Sequence, residues 1–349
     1  MHIAHAARRL VPALVPVLLS LWVSGIAAAQ PVKVRVGYVP VVGAAPIFVL
    51  DGAGWAREAG IEIAATKFDS GPSAIQGLAS GTIDVLAVGV APIAVAHARG
   101  LDVKVVAASS TGGSAFVATP RLAQAFGEAG GDAGRAFALF RERHGRPARL
   151  ATLPAGAVPT VALHHWLRRV VRIDRADVEI VAMGIEAVQQ AVLAGGVDGA
   201  TVLEPALTIV LGRDPRLKAI ATADEMFPGL PGTVIAATGS FARARPEVLE
   251  RLVGLVVRAN ELIARAPEAA APHVQAVLGA GLVDVAVIAK ALASPTVRYV
   301  TDPREIVAAT RALLAYQVEL GDVTQAPPTD GLFDMGVYER AVGAGARRP

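Results

Sequence analysis

The sequence contains no cysteine in its 349 residues. Disulfide bonds, a thiol nucleophile, a cysteine-ligated metal and the lipidated cysteine of a bacterial lipoprotein are therefore excluded. The motifs G-x-S-x-G and H-E-x-x-H and the phosphate-binding loop of nucleotide hydrolases are also missing. There is no block of basic residues, so the sequence predicts no nucleic-acid partner. No cofactor is predicted.

Residues 1–29 have the pattern of a secretory signal peptide. Arg8 and Arg9 precede an apolar run over residues 10–26, and Ala27-Ala28-Ala29 follows it. This order predicts cleavage near Ala29 and export to the periplasm, with the arginine pair leaving a twin-arginine route open. A transmembrane anchor is the alternative, but two prolines and a glycine disfavour a stable spanning helix. Without the two arginines the formal net charge falls from +3 to +1, which indicates no strongly charged partner.

The remaining chain is predicted to form two lobes of an α/β protein. About 320 residues exceed what one hydrophobic core usually holds. Strand and helix patterns alternate from residue 32 to about 242, which predicts mostly parallel sheets flanked by helices. Residues after Pro246 are predicted to be helical almost throughout, to about Leu320.

One unit of this pattern occurs twice. The first copy is FDSGPSAIQGLASGTIDVLAVGVAP at residues 68–92, and a shorter copy, EAVQQAVLAGGVDGATVLEP, lies at residues 186–205. Each runs A-[IV]-Q, then glycine, then [IV]-D, then an apolar strand that ends before a proline. We interpret the copies as equivalent βαβ units of two similar lobes, with Asp84 and Asp198 as turn-forming residues.

Four predicted helices begin near a proline that follows a strand, at Pro72, Pro92, Pro159 and Pro205. In open α/β sheets ligands bind beyond the carboxyl ends of the strands, where free helix N–H groups favour an anion. The alternative is that these prolines mark ordinary helix starts without a ligand. In that case Ser73 and Gln76 form a capping box that bonds only to the N-terminus of its own helix. The predicted ligand-binding residues are Gly43, Ser70, Gly71, Ser73, Gly89, Ala91, Ser109, Gly156, Thr160 and Glu204.

The two repeated segments, together with GYVPVVGAAPIFVLDGAGWAREAGIEI and the LP-x-G loop, resemble the nitrate/sulfonate/taurine branch of ABC-transporter solute-binding proteins. The resemblance covers nearly all of the chain after residue 30. It implies a periplasmic, two-lobed type II binding fold that closes on a small anionic or zwitterionic solute and delivers it to a membrane permease. It also implies lobes at residues 32–116 with 236–349 and at 117–235, hinges near 115–119 and 233–237, and a monomer.

The sequence departs from this family at the start of the second lobe. Relatives usually have Gly-Ser there, often with a histidine shortly after, whereas this chain has Gly156-Ala157 and then Thr160. No lysine or arginine lies at the four helix starts. If Glu204 faces the ligand, its charge disfavours a bare anion and favours a taurine-like zwitterion or a neutral heterocycle with an N–H donor. If it does not, it caps its helix.

A different class of function uses the same scaffold. An exported enzyme or ligand-sensing domain that acts on a pyrimidine- or thiamine-precursor-like molecule is the alternative to a transport protein. The sequence offers no catalytic residue for it. His164 and His165 are adjacent and face different sides of a helix, which disfavours a metal site.

Overall fold

The structure is a computed structural model that describes residue 2, residues 30–279 and residues 282–345. The predicted signal peptide and its cleavage site lie outside these residues. No helix of the described residues is long and apolar enough to cross a membrane.

The strands alternate with helices over the first two thirds of the chain, as predicted. The strands are β1 (Val32–Tyr38), β2 (Ile61–Lys67), β3 (Val85–Gly89), β4 (Val103–Ala108), β5 (Ser110–Gly112), β6 (Ser114–Ala118), β7 (Ala148–Thr152), β8 (Val178–Ala182), β9 (Gly199–Leu203), β10 (Lys218–Thr222), β11 (Thr233–Thr238) and β12 (Val297–Tyr299). The α-helices are α1 (Ala45–Gly52), α2 (Trp55–Glu58), α3 (Gly71–Ala79), α4 (Val90–Ala98), α5 (Pro120–Glu128), α6 (Ala133–His144), α7 (Val158–His165), α8 (Ile185–Leu193), α9 (Ala206–Arg213), α10 (Ala223–Met226), α11 (Gly239–Ala244), α12 (Pro246–Arg265), α13 (Pro267–Val274), α14 (Val285–Leu292), α15 (Val307–Leu320) and α16 (Met335–Gly345).

Two five-stranded sheets have the same plan. The first has the order β2-β1-β3-β11-β4 and the second the order β8-β7-β9-β6-β10. In each, the first three strands pair in parallel, and one strand, β11 or β6, runs antiparallel to both of its neighbours. We call the parts of the protein built on these sheets the first lobe and the second lobe. The mostly parallel, two-lobed α/β architecture predicted from the sequence is confirmed.

The repeated sequence units occupy equivalent places in the two sheets. Asp84, before β3, accepts a hydrogen bond from the backbone N–H of Arg35 in β1 at 3.0 Å and donates its own N–H to the Arg35 carbonyl at 2.8 Å. Asp198, before β9, makes the same two bonds with Arg149 in β7, at 2.9 and 2.8 Å. Each aspartate therefore fastens the start of its strand to the neighbouring strand.

The chain passes between the lobes in two segments that lie side by side. Residues 109–113 lead into β6 of the second lobe, and residues 230–232 lead into β11 of the first. The segments are joined where Gly112 N–H donates to the Leu230 carbonyl at 2.9 Å and Gly232 N–H donates to the Ser110 carbonyl at 3.0 Å. The hinge ranges implied by the resemblance, 115–119 and 233–237, overlap β6 and β11, the strands that follow these crossings. The lobe boundaries at 116/117 and 235/236 fall inside the same strands and stay a prediction.

The helical end of the chain packs against the first sheet and also reaches the second lobe. Helix α12 packs against α1, α13 and α16, and these helices share a core with one face of the first sheet. Helix α15 contacts both α4 of the first lobe and α7 of the second. The segment before α16 lies against β4, where Asp334 N–H donates to the Val105 carbonyl at 2.8 Å.

Candidate ligand-binding cleft

A cavity of about 60 Å³ lies between the lobes. The first lobe contributes residues of three loops at the ends of its strands, among them Val41, Gly43 and Gly89. The second lobe contributes the start of α7, including Val158, and the end of β9 at Leu203. This is the position beyond the carboxyl ends of the strands where a ligand was expected from the topology.

We call this cavity the cleft. Its walls are largely apolar. Valine, leucine and proline side chains form most of the surface, and the side-chain hydroxyls come from Ser110, Ser114 and Thr233. None of the lining residues, all within the described ranges, carries a charged side chain. An anion in the cleft would therefore be held by hydroxyl and backbone N–H groups instead of an ion pair.

Two glycines allow the cleft walls to come close together. A Cβ atom on Gly89 would lie 2.9 Å from Cγ2 of Val158, across the two lobes. A Cβ atom on Gly43 would lie 2.2 Å from the Thr233 hydroxyl and 2.6 Å from that of Ser110. Larger side chains at these positions would keep the observed walls apart.

The helices at the cleft differ in how their N-termini are capped. Helices α4 and α7 have Gly89 and Ala157 at the N-cap and no side-chain hydrogen bond there. Helix α3 is closed by a capping box in which Ser73 N–H donates to the Ser70 hydroxyl at 3.3 Å. The predicted capping box of Ser73 with Gln76 is wrong, because α3 begins three residues earlier, after Ser70.

The structure brings three of the ten predicted site residues to the cleft wall, namely Gly43, Gly71 and Gly89. Ser70 and Ala91 immediately precede the lining residues Gly71 and Pro92 along the chain. Ser109 lies behind the wall, where its hydroxyl donates to the Gly43 carbonyl at 2.6 Å.

The other predicted residues do not line the cleft. The side chain of Ser73 is used in the α3 capping box, and Gly156 lines a separate groove. Thr160 is buried in the second lobe, with its hydroxyl donating to the Leu153 carbonyl at 2.6 Å. Thr160 therefore holds the loop before α7 in place.

The Glu204 side chain bonds to the first turn of helix α9 from one residue before the N-cap, Pro205. Its carboxylate accepts hydrogen bonds from the backbone N–H and the hydroxyl of Thr208, both at 3.0 Å. The residue is 1% exposed, and burial raises the pKa of this carboxyl, while hydrogen bonds from Ser294 and Thr208 oppose the rise. Its backbone carbonyl accepts a hydrogen bond from Val42 N–H at 3.0 Å, which ties the second lobe to the first.

Sequence reasoning missed Ser110, Ser114, Thr233 and the apolar lining residues Val158 and Leu203. The dipeptide Pro231-Gly232 before an apolar strand was an available signal for the second crossing. The hydroxyl residues had no such signal, because serine and threonine at strand ends are common in any sheet protein.

The chain belongs to the NMT1-like family, whose model matches residues 27–278. A comparison with curated proteins finds no match. Among solved structures, the periplasmic nitrate-binding protein NrtA from Synechocystis PCC 6803 superimposes with a TM-score of 0.76 at 14% identity, covering 90% of this chain and 89% of that one.

Two further structures share the fold. The ligand-binding component of an ABC-type import system from Staphylococcus aureus has a TM-score of 0.71 at 14% identity, with 89% of this chain and 99% of that one covered. The alkanesulfonate-binding protein SsuA from Xanthomonas axonopodis pv. citri, bound to MOPS, has a TM-score of 0.61 at 20% identity, with 83% and 94% covered. These similarities establish the two-lobed fold of periplasmic binding proteins.

Proposed function

We propose that the protein is the periplasmic solute-binding component of an ABC importer. It holds a small solute in the cleft between its lobes and delivers it to a membrane permease. The observation that carries this proposal is the cleft itself, to which both lobes contribute wall residues at the ends of parallel strands. The import and binding functions named for the structurally similar proteins from Synechocystis, Staphylococcus and Xanthomonas support the same role.

The proposed solute is small and anionic, of the nitrate or short-chain sulfonate class. A volume of about 60 Å³ is several times the roughly 10–15 Å³ that one water needs on the same measure. No side chain caps the starts of α4 and α7, which favour negative charge, although α7 offers only the Val158 N–H because Pro159 has none and Thr160 N–H donates to the Ala157 carbonyl at 3.1 Å. A taurine-like zwitterion is a weaker candidate, because the Glu204 carboxylate that would pair with its amine is bonded to Thr208.

The test is calorimetric titration of residues 30–349 with nitrate, methanesulfonate and taurine. We expect one of the two simple anions to bind without turnover and to bind at least as tightly as taurine. Thr233→Val removes one cleft hydroxyl and keeps the shape of the side chain. Loss of one hydrogen bond to a charged ligand is expected to weaken binding roughly tenfold or more.

The matched control is Thr66→Val on the exposed edge strand β2, which should bind as the unmodified chain does. Absence of binding for all three solutes would contradict the proposed solute class. Conversion of a solute into a product would contradict the transport role and favour an exported enzyme.

A further inference from the structure

One wall of the cleft includes Val158, the first residue of α7. Its side chain reaches from the second lobe to the first, where a Cβ atom on Gly89 would lie 2.9 Å from Cγ2 of Val158. Gly89 is the N-cap of α4 and has no side chain, so a methyl group of Val158 lies directly against the Gly89 backbone. The Val158 side chain therefore bridges the two lobes and bounds the space that is left for a solute.

The backbone that carries Val158 is fixed on both sides. Before it, Ala157 N–H donates to the Pro154 carbonyl at 3.1 Å. After it, Thr160 N–H donates to the Ala157 carbonyl at 3.1 Å, and the Thr160 hydroxyl donates to the Leu153 carbonyl at 2.6 Å. Val158 is 6% exposed and belongs to the hydrophobic core. A longer solute therefore cannot push Val158 aside without breaking these bonds.

The cleft has room for few atoms. Its volume of about 60 Å³ corresponds to about four to six waters on the same measure. Nitrate has four non-hydrogen atoms and methanesulfonate has five, so both match this space. Each added methylene group of a longer sulfonate needs a further position, and a close-packed valine on a fixed backbone does not provide one.

We propose that Val158 is a specificity-determining residue, which sets the upper size limit of the solute and rejects anions larger than methanesulfonate. This inference rests on the proposed function, because it takes the cleft as the solute site. The physical basis is overpacking, since a larger solute forces the Val158 side chain or its backbone out of place. One methylene group in an apolar pocket changes binding by roughly tenfold or more.

The test is calorimetric titration of residues 30–349 with methanesulfonate, ethanesulfonate and propane-1-sulfonate. We expect the affinity of the unmodified chain to fall roughly tenfold or more with each added methylene group. Val158→Ala removes two methyl groups, as many carbons as propane-1-sulfonate has beyond methanesulfonate. In this variant propane-1-sulfonate should bind at least tenfold more tightly than it does to the unmodified chain. Methanesulfonate should bind more weakly, because it leaves part of the enlarged cleft empty.

This reversal of order separates size selection from a structural role, because a loosened fold would weaken all three sulfonates alike. Val161→Ala is the matched control, since Val161 is fully buried in the same helix and does not line the cleft. It should lower the melting temperature and leave the order of the sulfonates unchanged. Val158→Ile adds one methyl group and should weaken methanesulfonate more than the smaller nitrate.

The inference alone would be overturned if the unmodified chain bound propane-1-sulfonate as tightly as methanesulfonate. It would also be overturned if Val158→Ala kept the original order, or if Val161→Ala reversed it. A different result would count against the proposed solute class. If neither nitrate nor any sulfonate bound to the unmodified chain, that class and this inference would both be wrong.

Discussion

At the scale of single residues, Glu204 combines a buried carboxyl group with two bonds to Thr208. Its N–H donates to the Gly113 carbonyl at 3.0 Å and its carbonyl accepts from Val42, so the residue is fixed on both sides. The carboxylate satisfies an N–H in the first turn of α9 that would otherwise be unpaired. Glu204 lies one residue before the N-cap of α9, Pro205, at the junction between the lobes.

The raised pKa of Glu204 predicts a specific pH dependence of stability. The folded protein holds a proton on this carboxyl at a higher pH than the unfolded chain does. Stability is therefore lost as the pH rises from the unfolded pKa, about 4.5, through the raised folded value. Glu204→Gln keeps an acceptor for Thr208 and removes the titration. We expect the variant to be more stable, relative to the unmodified chain, at pH 8 than at pH 5.

This prediction is measured by denaturant unfolding at several pH values. Glu62→Gln, the same substitution on the exposed outer strand β2, serves as the control. An equal stability difference at all pH values would mean that the carboxyl of Glu204 does not titrate differently in the folded state.

At the scale of secondary-structure elements, the approach of α4 to α7 is set by Gly89 and Val158. Gly89 has φ −60° and ψ 148°, a conformation that alanine adopts without strain. The effect of Gly89→Ala is therefore expected to come from the contact with Val158 alone.

We predict that Gly89→Ala weakens solute binding roughly tenfold, because the added methyl group holds the lobes apart. Overpacking of this kind costs about 1–3 kcal/mol, and 1.4 kcal/mol is a factor of ten in affinity. Val158→Ala in the same chain removes the opposing methyl groups and should restore most of the affinity. Titration calorimetry measures both variants.

Gly127→Ala is the matched control, since Gly127 lies in α5 and has no neighbouring atom within 4 Å of the added Cβ. It should bind solute normally. If Gly89→Ala also bound normally, the lobes would not need this close approach to hold the solute.

At the scale of the whole molecule, the two lobes are joined at the outer edge of the interface by Lys67 of β2 and Glu186 of α8. The Lys67 ammonium lies 2.6 Å from the Glu186 carboxylate, and both side chains are exposed. Next to this pair, Ile185 N–H donates to the Asp69 carbonyl at 3.2 Å. Both contacts join the first lobe to the second.

We predict that Lys67→Met raises the dissociation rate of the solute by up to about fivefold, as an exposed ion pair contributes about 0.2–1 kcal/mol. The increase should disappear near 1 M salt, because screening removes the attraction in the unmodified chain too. The exchange of both residues, Lys67→Glu with Glu186→Lys, should recover part of the loss. Stopped-flow measurement of solute release tests this.

Arg143→Met is the control, because Arg143 pairs with Glu128 at 2.5 Å between α6 and α5 of the second lobe alone. It should not change the release rate. Equal effects of the two methionine variants would indicate that the ion pair at Lys67 has no part in closure.

The sequence by itself determined the local units of this protein. The alternation of strands and helices from residue 32 to about 242 was predicted, because helix and strand periods and glycine stops are properties of a few neighbouring side chains. The repeat of residues 68–92 at 186–205 identified two equivalent units, and the paired aspartates Asp84 and Asp198 occupy equivalent positions. Chain length and this repeat predicted the two lobes, and the family resemblance added their boundaries and hinges.

Only the tertiary structure decided which side chains reach the cleft. Thr160 and Glu204 follow strand ends, as ligand-binding residues do, yet their side chains bond to Leu153 and Thr208. Ser110 and Thr233 are far apart in sequence and meet because the chain crosses between the lobes twice in adjacent segments. Such positions depend on strand pairing over more than a hundred residues, and local sequence patterns carry no information at that distance.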